Sequence, residues 1–308
     1  MVSDNSYAAR LFEVTKTFGS HTAVANLSLD VPLGSIYGFI GPNGSGKTTT
    51  IRMILHILHA DSGTIEVLGE RGTRAANDSV GYLPEERGLY KKMKVLGLLE
   101  YYAALKSMPR KDARTEAMRW LERMELSAWS GKKIETLSKG MAQKIQFIST
   151  VLARPRLIIL DEPFAGLDPV NLEMIRAAIL DLQRQGSTVI FSTHDMSMAE
   201  MLCDSIFMIY QGRKVLDGTL GEIKDKYGKD TVRLRTEGGA SVLEGLPGIE
   251  NVLDMGGYQD VKLQGNSNEF LNQLMQRTRV QLFEETQPSL HDIFIRIAKP
   301  KDAEPAHE

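Results

Sequence analysis

The feature that most restricts this chain is the octapeptide GPNGSGKT, residues 41–48. A short apolar run, Ser35–Ile40, precedes it, and a stretch with helical spacing follows it. Strand, glycine-rich loop, helix is the frame in which backbone N–H groups can be turned inward around an anion. Gly44 and Gly46 free the backbone to make that turn. The start of the following helix adds its positive end. In such a loop Lys47 reaches the β- and γ-phosphates of a nucleotide, and the Thr48 hydroxyl faces a Mg²⁺ ion. The predicted nucleotide contacts are Gly41, Pro42, Asn43, Gly44, Ser45, Gly46, Lys47, Thr48 and the adjoining Thr49.

A second segment points the same way. Residues 157–162 read LIILDE, a buried apolar strand ending in two carboxylates. Phosphoryl transfer needs one carboxylate on the metal and another facing the attacking water. Asp161 suits the first role, and Glu162, one residue further, can orient and polarise the water.

Composition narrows the remaining classes. The 308 residues suffice for about two domains. With 37 basic and 39 acidic residues the formal net charge is -2, so nucleic acid is not an expected partner. The single cysteine, Cys203, excludes an internal disulfide and fits a reducing compartment. It reads as buried and inert. No apolar run approaches the roughly 20 residues that cross a bilayer, and the first ten residues lack an apolar signal core. If the chain acts at a membrane, another subunit is expected to carry the spans.

Residues 1–8 and 299–308 read as loose ends. Residues 9–34 read as two strands of alternating polarity. Residues 93–128 are rich in Met, Leu, Ala, Lys and Glu and read as two or three inserted helices. A further helix runs from Gly140 to about Ala153, and strands are predicted at Leu157–Leu160, Ser187–Ser192 and Ser205–Tyr210, with helix over 171–184 between the first two. Strands alternating with helices imply an α/β fold with a mostly parallel sheet. After about Gly228 the order changes to βαββαβ, which suggests a ferredoxin-like α+β unit of about 70 residues with a last short helix, Leu290–Ile297.

Five motifs in order resemble the ATP-binding cassette (ABC) family of transporter ATPase subunits over about residues 10–220. They are Gly41–Thr48, the signature-like Leu137-Ser138-Lys139-Gly140-Met141, Leu157–Glu162, the D-loop-like Gly166-Leu167-Asp168, and Ser192-Thr193-His194. The resemblance implies a P-loop NTPase cassette, residues 9–228, with a mixed sheet and an inserted helical subdomain at about 93–140. It further implies a small C-terminal domain at 229–298 and a flexible tail at 299–308. ATP and Mg²⁺ are the implied cofactors, with Thr48, Asp161 and Glu85 at the metal.

The family pairs two cassettes head to tail around two ATP molecules. By that resemblance Ser138 and the Gly140 N–H reach the γ-phosphate bound to the partner, Asp168 belongs to the nucleotide set, and His194 bonds the γ-phosphate and holds the water. Phe18 is similar in spacing to the family's adenine-stacking aromatic, with core packing as the rival reading. Ser138 also suits an ordinary helix N-cap.

Two departures stand out. Glu85 takes the place of the usual Q-loop glutamine, and Lys139 and Met141 replace a glycine and a glutamine of the signature. Together with GYLPEERGLY and PSLHDIFI they resemble separate ATPase subunits of sodium-extrusion and drug exporters. That resemblance implies a homodimer that powers a distinct transmembrane permease from the cytoplasmic face of the cell membrane. The alternatives are a soluble ABC ATPase acting on ribosomes, which usually carries two cassettes and a basic linker, and a P-loop kinase or GTPase, which lacks a signature helix.

Overall fold

The computed structural model describes residues 6–71, 79–86, 88–227 and 231–298. The tail expected at 299–308 and most of the N-terminal end lie outside them, as does Arg87. The chain divides into two compact units, Met1–Gly218 and Thr219–Glu308.

The first unit begins with β1 (Tyr7–Phe18) and β2 (His21–Pro32). Tyr7 and Ala8, read from the sequence as part of a loose end, belong to β1, where Ala8 is fully buried. Next come β3 (Ile36–Ile40), α1 (Lys47–Ile54), β4 (Ser62–Val67), β5 (Glu70–Arg71) and β6 (Val80–Leu83). The inserted helices are α2 (Val95–Leu105) and α3 (Arg110–Arg123), followed by α4 (Lys139–Val151). The unit continues through β7 (Leu157–Asp161), α5 (Pro169–Arg184), β8 (Thr188–Thr193), α6 (Met196–Leu202), β9 (Ser205–Tyr210) and β10 (Arg213–Thr219), which ends at the boundary.

These strands make two sheets. One has the order β2-β1-β4-β5, with antiparallel neighbours. The other has the order β10-β9-β3-β8-β7-β6, and from β9 to β6 every neighbouring pair is parallel. The sequence explains the difference. β1 and β2 mix buried and exposed positions, whereas β3 and β8 are buried at every residue, as parallel strands covered on both faces must be. One core joins both sheets and α1, through Leu27, Leu29, Phe39, Ile51, Met53, Ile159 and Phe207. The inserted helices bury their own stripe, in which Trp120 meets Phe147 of α4 edge-on with centroids 6.0 Å apart.

Register is what places the chemistry. Ile40 lies beside Thr193, and Asp161 lies beside Ser192. The carboxyl ends of β3, β7 and β8 therefore reach one edge of the sheet, where the loops after an open α/β sheet collect ligands.

The second unit opens with α7 (Leu220–Lys226), started by a capping box between Thr219 and Glu222. The sequence divided the chain at 228/229, inside the undescribed residues 228–230. The compact units divide ten residues earlier, because α7 is tied to the second unit. Gln287 donates to Asp225 at 3.0 Å, and Arg296 to the Tyr227 carbonyl at 3.5 Å.

After α7 come β11 (Thr231–Thr236), β12 (Ile249–Asp254), β13 (Gln259–Leu263), α8 (Ser267–Arg277), β14 (Val280–Thr286) and α9 (Leu290–Ala298). The sheet order is β12-β13-β11-β14, all antiparallel, which is the ferredoxin-like arrangement expected. Its core holds Val232, Leu234, Val261, Phe270 and Leu274. The first helix of the expected βαββαβ order is a 3₁₀ turn, Gly239–Leu243, since glycines at 238, 239 and 245 leave too short a run for an α-helix.

Cys203 is buried as the sequence suggested, and burial pushes its thiol pKa up. It packs on Gly38 of β3, where an added Cβ would lie 2.5 Å from the sulfur. Gly38→Ala is therefore expected to destabilise the full chain by about 1–3 kcal/mol in chemical denaturation. Adding Cys203→Ala should return part of that loss. Equal losses in the single and double variants would refute the contact.

Candidate functional site

The loop at 41–48 is shaped by close backbone approaches. Gly41, Gly44 and Gly46 have φ of 153°, 76° and 113°. A Cβ on Gly41 would lie 2.2 Å from the Ile209 carbonyl oxygen, and one on Gly46 2.5 Å from that of Ala23. Glycine is required at both places for space as well as conformation. The β9–β10 turn braces the loop from behind. Its Gly212 N–H donates to the Ser45 carbonyl at 3.0 Å, and its carbonyl accepts from Ala25 N–H at 2.8 Å. Both central residues of that turn, Gln211 and Gly212, have positive φ, as a tight hairpin demands.

Lys47 opens α1 and is buried. Its ammonium donates to the carbonyls of Gly41 at 2.7 Å and Pro42 at 3.1 Å. Burial lowers its pKa, opposed by the negative charges of Glu162, Asp161 and Glu85. The cation is thus held at the floor of the loop among three carboxylates.

Asp161 ends β7, 2% exposed. One oxygen, Oδ1, accepts from the Ser192 hydroxyl. The other, Oδ2, is buried and has no partner among the described residues. A buried carboxylate oxygen without a donor is costly unless something else engages it. Glu162 follows in the left-handed region with φ of 50°. A non-glycine residue there carries strain of about 1–3 kcal/mol, which the surroundings must hold. Glu162 N–H donates to Ser192 at both the carbonyl and the hydroxyl oxygen, each at 3.2 Å. Its Oε1 accepts from His194 N–H at 3.1 Å and lies 2.8 Å from His194 Nδ1. The Glu162 side chain is 11% exposed and that of His194 59%.

These groups meet in one cleft of about 440 Å³. Of the predicted residues, Phe18, Asn43, Gly44, Gly46, Lys47, Thr48, Thr49, Glu85, Asp161, Glu162 and His194 line it. Gly41, Pro42 and Ser45 belong to the loop but do not reach the cleft wall. Phe18 is 47% exposed, so it is not a core residue, and Lys16 Nζ sits 5.5 Å from its ring centroid.

Ser138, Gly140 and Asp168 do not line this cleft. Ser138 caps α4, accepting from Met141 N–H at 3.2 Å. Asp168 caps α5, accepting from Val170 and Asn171 N–H groups at 3.1 and 3.0 Å. The Asn171 donors hold its carboxyl below the usual carboxylate range. The two caps are neighbours, since a Cβ on Gly140 would lie 3.5 Å from the Asn171 amide nitrogen and 3.9 Å from Leu167.

Three buried polar residues were given no role by the sequence. Ser192 bridges the two carboxylate positions. Gln143 donates from α4 to the Pro163 carbonyl at 2.6 Å, just after Glu162. Gln146 donates to the carbonyls of Pro84 at 3.4 Å and Glu86 at 3.3 Å, around Glu85. For Gln143 and Gln146, polarity on the inner face of α4 was the available signal. His21 and Ala23 of β2 also reach the cleft wall, as does Ala165.

The donor set suits a polyphosphate with a hard divalent cation. A hydroxyl on Thr48 and a free oxygen on Asp161 are oxygen ligands of the type Mg²⁺ takes, few in number. Among the described residues no three His, Cys, Asp or Glu side chains are placed to hold a metal by themselves. Phosphate oxygens would have to complete the shell.

Known proteins share this arrangement. The ABC transporter family model matches residues 24–165, and a model described as the ATP-binding protein DrrA1-3-like C-terminal domain matches 218–298. The chain is 44% identical over 286 residues to the uncharacterized ABC transporter ATP-binding protein YhaQ of Bacillus subtilis, covering 92% of this chain and 95% of that one. It is 34% identical to the linearmycin resistance ATP-binding protein LnrL of the same organism, covering 71% of each chain. It is also 34% identical to the Nod factor export ATP-binding protein I of Burkholderia orbicola, covering 73% and 78%. A solved ATP-binding subunit of an ABC transporter superposes with TM-score 0.68 and 26% identity over 71% of this chain and 93% of that one. A dimeric post-hydrolysis cassette bound to ADP and Pi shares the fold, with TM-score 0.64 and 24% identity over 69% and 98%. A phosphate loop, an acidic strand end and a cassette fold that extend over nearly the whole length of such a relative mean that the chain belongs to the ATP-binding proteins of ABC transporters and is an ABC ATPase.

Proposed function

We propose that this chain is the ATPase subunit of an exporter, acting as a homodimer that drives a separate transmembrane permease from the cytoplasmic face of the membrane. The carrying observation is the Glu162–His194 pair at the edge of the phosphate-loop cleft, beside the unpartnered Asp161 Oδ2. The names of two relatives, in drug resistance and in Nod factor export, support the export direction. Among the described residues no helix is long and apolar enough to cross a membrane, which is the reason for assigning the spans to another polypeptide.

In this reading Phe18 offers its exposed face to the adenine. The loop N–H groups and Lys47 bind the phosphates. Thr48 and Asp161 would hold Mg²⁺, with Glu85 near it, and a bound ion would supply positive charge against that developing on the phosphates. Glu162 accepts a proton from, or orients, the attacking water. His194 keeps Glu162 in place through N–H and Nδ1. With Nδ1–H on Glu162, Nε2 donates to a phosphate oxygen only when the ring carries both protons. Ser138, Gly140 and Asp168 lie off the cleft of their own chain, so they serve the nucleotide bound by the partner copy. The face near Glu85, together with α2 and α3, receives the permease. Exposed Tyr90 and Tyr101 stack edge-on there, 5.8 Å apart, as an apolar contact for a membrane subunit.

Glu162→Gln is expected to lower ATP turnover about 10²–10⁴-fold while MgATP binding persists and dimers accumulate in gel filtration. Hydrolysis at the wild-type rate would remove Glu162 from the mechanism. Phe18→Ala should weaken ATP binding by about 1–3 kcal/mol in calorimetry, with Phe18→Trp retaining it; an unchanged affinity would return Phe18 to a structural role. The same Glu162→Gln chain, purified with ATP from detergent-solubilised membranes of its host, should bring a stoichiometric polytopic protein. Recovery of ribosomal proteins, or of the chain alone, would reject the exporter.

A further inference from the structure

Ser192 is a small, fully buried residue on β8 with no apolar task. The parallel register sets it beside Asp161. Its hydroxyl has one proton to give, and both neighbours define where that proton goes. Glu162 N–H is itself a donor, so Oγ accepts from it, at 3.2 Å. The hydroxyl hydrogen is thereby committed to Asp161 Oδ1. This selects which Asp161 oxygen stays without a partner among the described residues, namely the buried Oδ2. The same contact anchors the amide of Glu162 at its left-handed backbone turn. Two residues on, His194 anchors the carboxylate of Glu162 from the other end. Ser192 near the end of β8 and His194 just past it therefore hold both acidic residues.

We propose that Ser192 is a positioning residue for this ATPase, its single hydroxyl presenting Asp161 Oδ2 to the metal while fixing the Glu162 turn. The inference rests on the proposed roles of Asp161 and Glu162. Without the hydroxyl, Asp161 has no donor on Oδ1 and can rotate, and Glu162 N–H keeps only the Ser192 carbonyl. Partners of this kind, one shell behind a metal ligand, govern metal affinity about 10- to 100-fold.

The test uses the full chain as wild type, Ser192→Ala, Ser192→Thr and Ser192→Val. Thr and Val have the same shape and differ by a hydroxyl against a methyl, so their comparison survives any packing cost that the larger residue brings. Mn²⁺ binding in the presence of a non-hydrolysable ATP analogue is followed by electron paramagnetic resonance. ATP binding in EDTA and the Mg²⁺ dependence of turnover are measured alongside. The expected result is a Mn²⁺ affinity weakened about 10- to 100-fold in Ser192→Ala and in Ser192→Val relative to Ser192→Thr. The Mg²⁺ half-saturation should rise in parallel, with ATP binding in EDTA unchanged. Ser192→Thr should lie near wild type. Equal Mn²⁺ affinities in the Thr and Val variants, or a wild-type affinity in Ser192→Ala, would overturn the inference and leave the function intact. A wild type whose nucleotide complex binds no Mn²⁺ and whose turnover ignores Mg²⁺ would overturn both.

Discussion

The parallel pairing of β3, β7 and β8 in one register is the constraint on which the rest of the site depends. It brings Ile40, Asp161 and Thr193 to a common edge, so the phosphate loop, the carboxylates and the histidine emerge together. A one-residue slip of β8 would turn Ser192 and His194 to the opposite face and separate the groups. The sheet resists such a slip because both faces of these strands are buried and every side chain has a packed place. The polar machinery is thus aligned by an apolar framework that does no chemistry.

Around that framework the chain sets several polar contacts against backbone carbonyls. α4 reaches the segment after Glu162 through Gln143 and the segment around Glu85 through Gln146. The helix that begins at the signature-like Ser138 is therefore fastened to both loops that border the cleft. Cassettes of this family work as dimers with transmembrane subunits. In the head-to-tail arrangement proposed for this chain, α4 would link the partner's nucleotide to its own Glu85 and Glu162 loops through these contacts. Ser138 and Asp168 remain good helix caps in that arrangement, since a cap uses one face of the side chain's oxygen and leaves the helix terminus exposed.

Much of this was legible in the residues. GPNGSGKT between strand and helix, and LIILDE as a buried strand with an acidic end, identify the chemistry from spacing alone, because glycine conformations and apolar runs are local properties. The C-terminal βαββαβ order was readable for the same reason. Less visible were β10 and α7, whose short polar sequences look like linker, and the true division between the units, which depends on the contacts α7 makes. Glu162 gave no sign of its left-handed backbone, and Phe18 could not be separated from a core residue until its exposure was known.

The sequence by itself determined which residues could bind phosphate, metal and water, and that the fold alternates strands with helices around a parallel sheet. Those conclusions follow from residue type and near-neighbour order. Tertiary structure decided which of them meet. It assembled Lys47, Asp161, Glu162 and His194 across 148 positions of chain, from 47 to 194 inclusive. It also set Ser138, Gly140 and Asp168 away from that cleft, and made a serine on β8 the partner of both carboxylates. Pairing between strands distant in sequence is a property of register and packing, which no local pattern encodes.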